Sequence, residues 1–123
     1  MHPPADKGFR PSLPEMPEGE RQALLRMFCT LTWRDLANLA LALAQDETSV
    51  VRRLAHRIKG AASSIGAAEM AEAAEWLELH AADGGRGARD QALRTLIASF
   101  RAVKAYVEQF EGDDPDGPGA PPP

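Results

Sequence analysis

The stretch AHRIKGAASSIGA, residues 55–67, decides the fold of this chain and raises its chemical question. A helix advances about 100° per residue around its axis, so Leu54, Ile58, Ala61 and Ile65 fall within roughly 140° to 200° of His56. They form an apolar stripe of the kind a helix buries. On the other side Lys59 falls near about 300°, Gly60 near about 40° and Ser63 near about 340°. Histidine, lysine and glycine therefore share one face, and that face points away from the core.

The same periodicity extends in both directions. From about Glu18 to Ala44, the residues Leu25, Phe28, Thr32, Leu36, Leu39 and Leu43 recur at helical spacing and predict a long first helix. Asp46 is expected to cap a second helix over about 47–64 through its carboxylate, with Glu47 at the positive end of the helix dipole. Gly66 breaks the pattern, as a residue that adopts positive φ at a helix end would. In the third helix Met70, Ala74, Leu77 and Ala81 mark the buried stripe, and DGGRGA (residues 83–88) reads as a turn. The last helix, about Ala88 to Phe110, lines up Leu93, Leu96, Ile97, Phe100, Val103, Val107 and Phe110. Four amphipathic helices joined by short turns predict an all-α, antiparallel up-down four-helix bundle.

The flanks differ in composition. All ten prolines lie at or before Pro17 or at or after Pro115, which leaves the middle free of the strongest helix breaker. Residues 1–17 read as a flexible linker, 18–111 as the helical domain and 112–123 as a disordered Pro/Gly-rich tail. The formal net charge of -4 argues against nucleic acid as a partner. The single cysteine, Cys29, excludes an intramolecular disulfide and fits a reducing, cytoplasmic setting. No apolar run is long enough to span a membrane and no signal-peptide core is present, so no membrane insertion by this segment is expected.

An isolated helical histidine is usually a satisfied core residue or an idle surface one. The angular position of His56 removes the first option, and Gly60 weighs against the second. A glycine inside a helix costs about 0.5–1 kcal/mol relative to alanine, so on the solvent side it suggests a gap through which something approaches His56. Lys59, Arg52, Arg53 and Arg57 place positive charge along the same helix. Taken alone they read as a solvated face; beside a phosphoryl acceptor they would attract the anion and favour the neutral, nucleophilic imidazole. His80 and His2 lack such context and read as surface residues. Cys29, Trp33 and Trp76 read as packing residues.

The segment AHRIKGAASSIGAAEMAEAAEWLE, residues 55–78, closely resembles the signature of histidine-containing phosphotransfer (HPt) domains, H-x-L-K-G-x-x-x-x-x-G followed by a Leu-Glu pair. His56, Lys59, Gly60, Gly66 and the Leu77–Glu78 pair match in order and spacing. Ile58 and Met70 stand where leucine is commoner, both conservative departures. The similarity extends over roughly Glu20 to Phe110.

The resemblance implies a helical bundle in which His56 accepts a phosphoryl group from a receiver-domain aspartate and passes it to a response-regulator aspartate. Lys59 would be the neighbouring cation and Gly60 the clearance for the receiver. Arg52, Arg53, Arg57, Ser63 and Ser64 would meet the partner. Such a carrier is not an autonomous enzyme and binds no cofactor, the Mg being supplied by the receiver. Its partners would be response-regulator receiver domains and a sensor histidine kinase, and the isolated chain would be monomeric. The flanks and the bacterial-looking composition resemble the C-terminal module of an unorthodox hybrid sensor kinase, the cytoplasmic end of a membrane-anchored protein. Two alternatives are a histidine-kinase dimerisation domain and a helical protein-interaction module with an idle histidine. Against the first, Arg57 stands where that family usually has an acidic residue, and no Gly-rich nucleotide-binding domain follows.

Overall fold

The computed structural model describes residues 9–13 and 15–113, the last four as backbone alone. Four helices follow one another, α1 (Glu18–Ala44), α2 (Thr48–Ser64), α3 (Ala68–His80) and α4 (Arg86–Asp113). Each packs on its neighbours in the cyclic order α1, α2, α3, α4, with α4 closing on α1. This is the antiparallel four-helix bundle expected of short connections. No helix among the described residues is long and apolar enough to cross a membrane. The expected tail beyond residue 113, the first eight residues with His2, and the side chain of Phe110 lie outside the described residues.

The predicted stripes form the core. Leu25, Phe28, Leu36, Leu39 and Leu43 of α1 are buried with Leu54 and Ile58 of α2, Met70, Ala74 and Leu77 of α3, and Leu96, Phe100, Val103 and Val107 of α4. Leu93 and Ile97, expected in the same stripe, are only half-buried because they sit at its edge. Alanines supply the closest contacts. Ala55 and Ala62 on α2 and Ala74 on α3 are fully enclosed, and the short side chains let α2 and α3 make the most extensive helix pairing in the bundle.

The two turns flanking α2 share one backbone design. After α1, the Asp46 N–H donates to Leu43 O at 3.3 Å and the Glu47 N–H to Ala42 O at 2.9 Å. After α2, the Gly66 N–H donates to Ser63 O at 3.2 Å and the Ala67 N–H to Ala62 O at 2.9 Å. Both are left-handed helix terminations, with φ of 53° at Asp46 and 77° at Gly66. Gly66 therefore does what its position predicts, whereas Asp46 does not cap α2. The N-cap position is Glu47, which makes no side-chain capping bond. The residue before it must take positive φ to reverse the chain, a conformation Asp tolerates better than most. The Asp46 carboxylate accepts instead from the Arg89 guanidinium of α4 at 3.3 Å.

Trp33 packs with one face only, its ring stacked on Phe100 with centroids 5.9 Å apart while the residue stays 61% exposed. Residues 9–13, within the stretch read as linker, lie against the bundle. Phe9 and Leu13 pack on the core, and the Ser12 N–H donates to Ile65 O at 3.0 Å.

The register of α1 has a direct test, because Leu39 is fully buried and Leu41 is 56% exposed. Leu39→Ala is expected to cost about 2–5 kcal/mol, and Leu41→Ala to stay within about 0.5 kcal/mol, as read by urea unfolding. Equal losses would contradict the assigned face.

Candidate functional site

The outward face of α2 is set by what its inward face buries. Ala55 and Ile58 are fully enclosed, and this turns His56 to solvent, its side chain 67% exposed. The imidazole is not free to rotate, however. Its Nδ1 lies 2.7 Å from Oε2 of Glu78, which projects from the last turn of α3. The other carboxylate oxygen of Glu78, Oε1, lies 2.8 Å from Nζ of Lys59. One carboxylate thus bridges the histidine and the lysine across the closest helix pair of the bundle.

The electrostatics keep that bridge charged. The hydrogen bond from Lys59 holds the Glu78 carboxyl below the usual carboxylate range, against the opposing effect of desolvation, and the bond from His56 adds to it. Glu78 in turn raises the Lys59 ammonium above its ordinary value, with partial desolvation acting in the other direction and Glu75 contributing further. The signs fix the pH window. The pair loses its negative partner only as pH falls through the depressed Glu78 value, and its positive one only as pH rises through the elevated Lys59 value. Across the neutral range it is constant. An ionised carboxylate only accepts hydrogen bonds, so a neutral His56 places its proton on Nδ1 and its lone pair on Nε2.

Lys59 therefore does not present a bare ammonium to the imidazole, as its spacing alone suggests. Its charge is offset by the carboxylate the two share. Glu78 is the principal residue that sequence reasoning left without a role. The Leu77–Glu78 pair stood out as a motif, but nothing in its spacing shows that Glu78 reaches a histidine 22 residues earlier.

The arginines behave individually. Arg52 and Arg53 are exposed and, with Ser49, His56, Arg57 and Glu78, line one shallow concavity. Arg57 is tethered, its Nη2 donating at 2.8 Å to Oδ1 of Asp35, a nearly buried residue of α1. Asp35 was also missed. A charged side chain next to the buried stripe of α1 needs a partner, and that requirement is the signal that could have pointed to Arg57.

Gly60 lies exposed beyond Lys59, and a Cβ built on it meets nothing within 4 Å. Among the described residues no packing accounts for the glycine. Ser63 and Ser64 are exposed, about 10–12 Å along the helix from His56. The Ser64 hydroxyl donates to Ala61 O in its own helix at 2.7 Å. His80 stands apart from this site, its ring on Trp76 and its Nδ1 3.2 Å from Asp83 at the end of α3. Among the described residues no cluster of His, Cys, Asp or Glu could hold a metal ion.

Comparison with known proteins bears on what this face does. Neither the search of curated proteins nor that of solved structures finds a match. A protein-family model, the Hpt domain, matches residues 23–112, which takes in all of α2 and α3 and nearly all of α1 and α4. That span holds His56, Lys59, Gly60 and Glu78, and the chain accordingly belongs to the Hpt domain family, the histidine phosphotransfer modules of two-component signalling.

Proposed function

We propose that this chain is a phosphorelay carrier in which Nε2 of His56 accepts a phosphoryl group from the aspartyl phosphate of a receiver domain and passes it to the aspartate of a response regulator. The observation that carries this reading is the exposed imidazole whose Nδ1 is bonded to Glu78. In the forward step the Nε2 lone pair attacks phosphorus. The P–N bond forms as the bond between phosphorus and the aspartyl oxygen breaks, and the carboxylate leaves on the receiver. The positive charge that develops on the ring, still protonated at Nδ1, faces the Glu78 carboxylate. In the reverse step that charge is discharged as a receiver carboxylate takes the phosphoryl group.

The chain's own part is nucleophile, orientation and access. Glu78 orients the ring, Lys59 holds Glu78 in place, and Arg52 and Arg53 favour an acidic partner surface. Gly60 leaves room for that surface to come close. Mg held by the receiver would neutralise the phosphoryl oxygens. Because the phosphoramidate and the acyl phosphate both have high transfer potential, transfer is expected to run in either direction.

The deciding experiment offers the chain a phosphorylated receiver with Mg and follows the label. Acid-labile, base-stable label on His56 is expected, with none acquired from ATP and Mg alone. His56→Gln should abolish acceptance while changing stability by no more than about 1 kcal/mol, the range for loss of one exposed polar pair. Label acquired from ATP without a partner would overturn the carrier reading, and so would undiminished acceptance in His56→Gln.

Gly60 separates access from stability. Gly60→Ala is expected to stabilise the helix by up to about 1 kcal/mol and to fold normally, given the open space around it. Gly60→Leu should fold as well and slow transfer. Normal transfer by Gly60→Leu, measured with the same receiver, would remove the clearance role.

A further inference from the structure

The five residues Phe9–Leu13 precede α1 and meet the bundle at three places. Phe9 sets its ring edge-on against Tyr106 of α4, centroids 5.6 Å apart and planes at 88°. It shares a groove with Met70, Ala98 and Ala102 between α3 and α4. Ser12 donates its N–H to Ile65 O at the end of α2, and Leu13 packs on the core just before α1 begins. The segment thus runs from α4, across the α2–α3 turn, to α1. It covers the end of the bundle where the 17-residue α2 and the 13-residue α3 stop short of the 27-residue α1 and the 28-residue α4.

The two matched turns provide an internal control. Both need a residue with positive φ, and the first is made with Asp46, so the turn geometry alone does not demand glycine. What differs at the second is the segment lying on it. A Cβ at Gly66 would overlap Ser12 Cβ and come within 2.7 Å of Ser12 N. Gly66 therefore leaves space for Ser12 to approach the backbone closely, besides adopting its φ. That close fit marks the contact as a specific one.

We propose that Phe9–Leu13 is a releasable strap, a segment of this chain that clasps the end of the histidine-bearing helix and opens without unfolding of the bundle. Among the described residues it is attached by one backbone hydrogen bond and by the side chains of Phe9 and Leu13, both only half-buried. Few buried contacts place a segment at the low-stability end of a fold. Ile65 and Gly66 follow directly on Ser63 and Ser64, so displacement of the strap acts on the end of α2 that borders the partner-facing side. The proposal stands on these contacts and not on the phosphotransfer reading.

Native-state hydrogen exchange by NMR on the full chain tests it. The Ser12 amide is expected to be protected, by less than the amides of Leu39 and Met70, and to open in a step insensitive to low denaturant. Phe9→Ala should reduce Ser12 protection about 5- to 30-fold, the range that loss of one modest anchor produces, and leave Leu39 and Met70 unchanged. Gly66→Asp, which gives the second turn the residue type of the first, should remove the protection too. If that variant fails to fold, Phe9→Ala alone decides. An unprotected Ser12 amide in the unmodified chain would overturn the strap. Protection that follows Leu39 and Met70 through denaturant, or that survives Phe9→Ala, would overturn its separate release. Protection that rises with protein concentration would assign the strap to a second copy and overturn its docking within one chain.

Discussion

The Glu78 carboxylate, shared between the imidazole of His56 and the ammonium of Lys59, is the interaction on which the account rests. It requires α2 and α3 to lie close enough, and in the right rotation, for a side chain on one to reach two on the other. The enclosed alanines at 55, 62 and 74 permit the approach. The left-handed turn at Gly66 sends α3 back along α2, so that residues 56 and 59 come level with residue 78. The bundle thereby holds one carboxylate beside one histidine.

What could be read before the structure follows from what a helix makes local. The stripes through Leu36, Ile58, Leu77 and Leu96 depend only on angular spacing within one helix, and all four residues are buried. The same spacing turned His56 and Gly60 outward, where the structure has them. Pairings between helices were not legible. The bonds from Glu78 to His56 and from Asp35 to Arg57 each span 22 residues, and they depend on how two helices are rotated about their own axes. Asp46 was misjudged for a related reason. Its type suits a cap and a left-handed turn alike, and the chain reversal after α1 settled which. Residues 9–13 read as linker because proline-rich composition describes a segment's average and says nothing of Phe9 and Leu13 within it, which pack on the core.

The charge pattern around the site qualifies the overall balance. A chain of net charge -4 carries Arg52, Arg53, Arg57 and Lys59 within a few turns of one helix, while α3 beside it carries Glu69, Glu72, Glu75 and Glu78. Lys59 is neutralised on the α3 side and Arg57 on the α1 side. Arg52 and Arg53 border the concavity next to His56. An acidic partner surface is thus attracted toward the arginine side of the histidine and repelled from the α3 side, which favours one orientation of approach over its reverse.

The bond from His56 Nδ1 to Glu78 fixes the tautomer of the imidazole. The side-chain 15N chemical shifts of His56, recorded in alkaline solution, measure it directly in the unmodified chain and in Glu78→Ala. A proton on Nδ1 and a lone pair on Nε2 are expected in the unmodified chain, shifting toward the opposite tautomer in Glu78→Ala. A proton on Nε2 in the unmodified chain, or the same tautomer ratio in both proteins, would contradict this assignment.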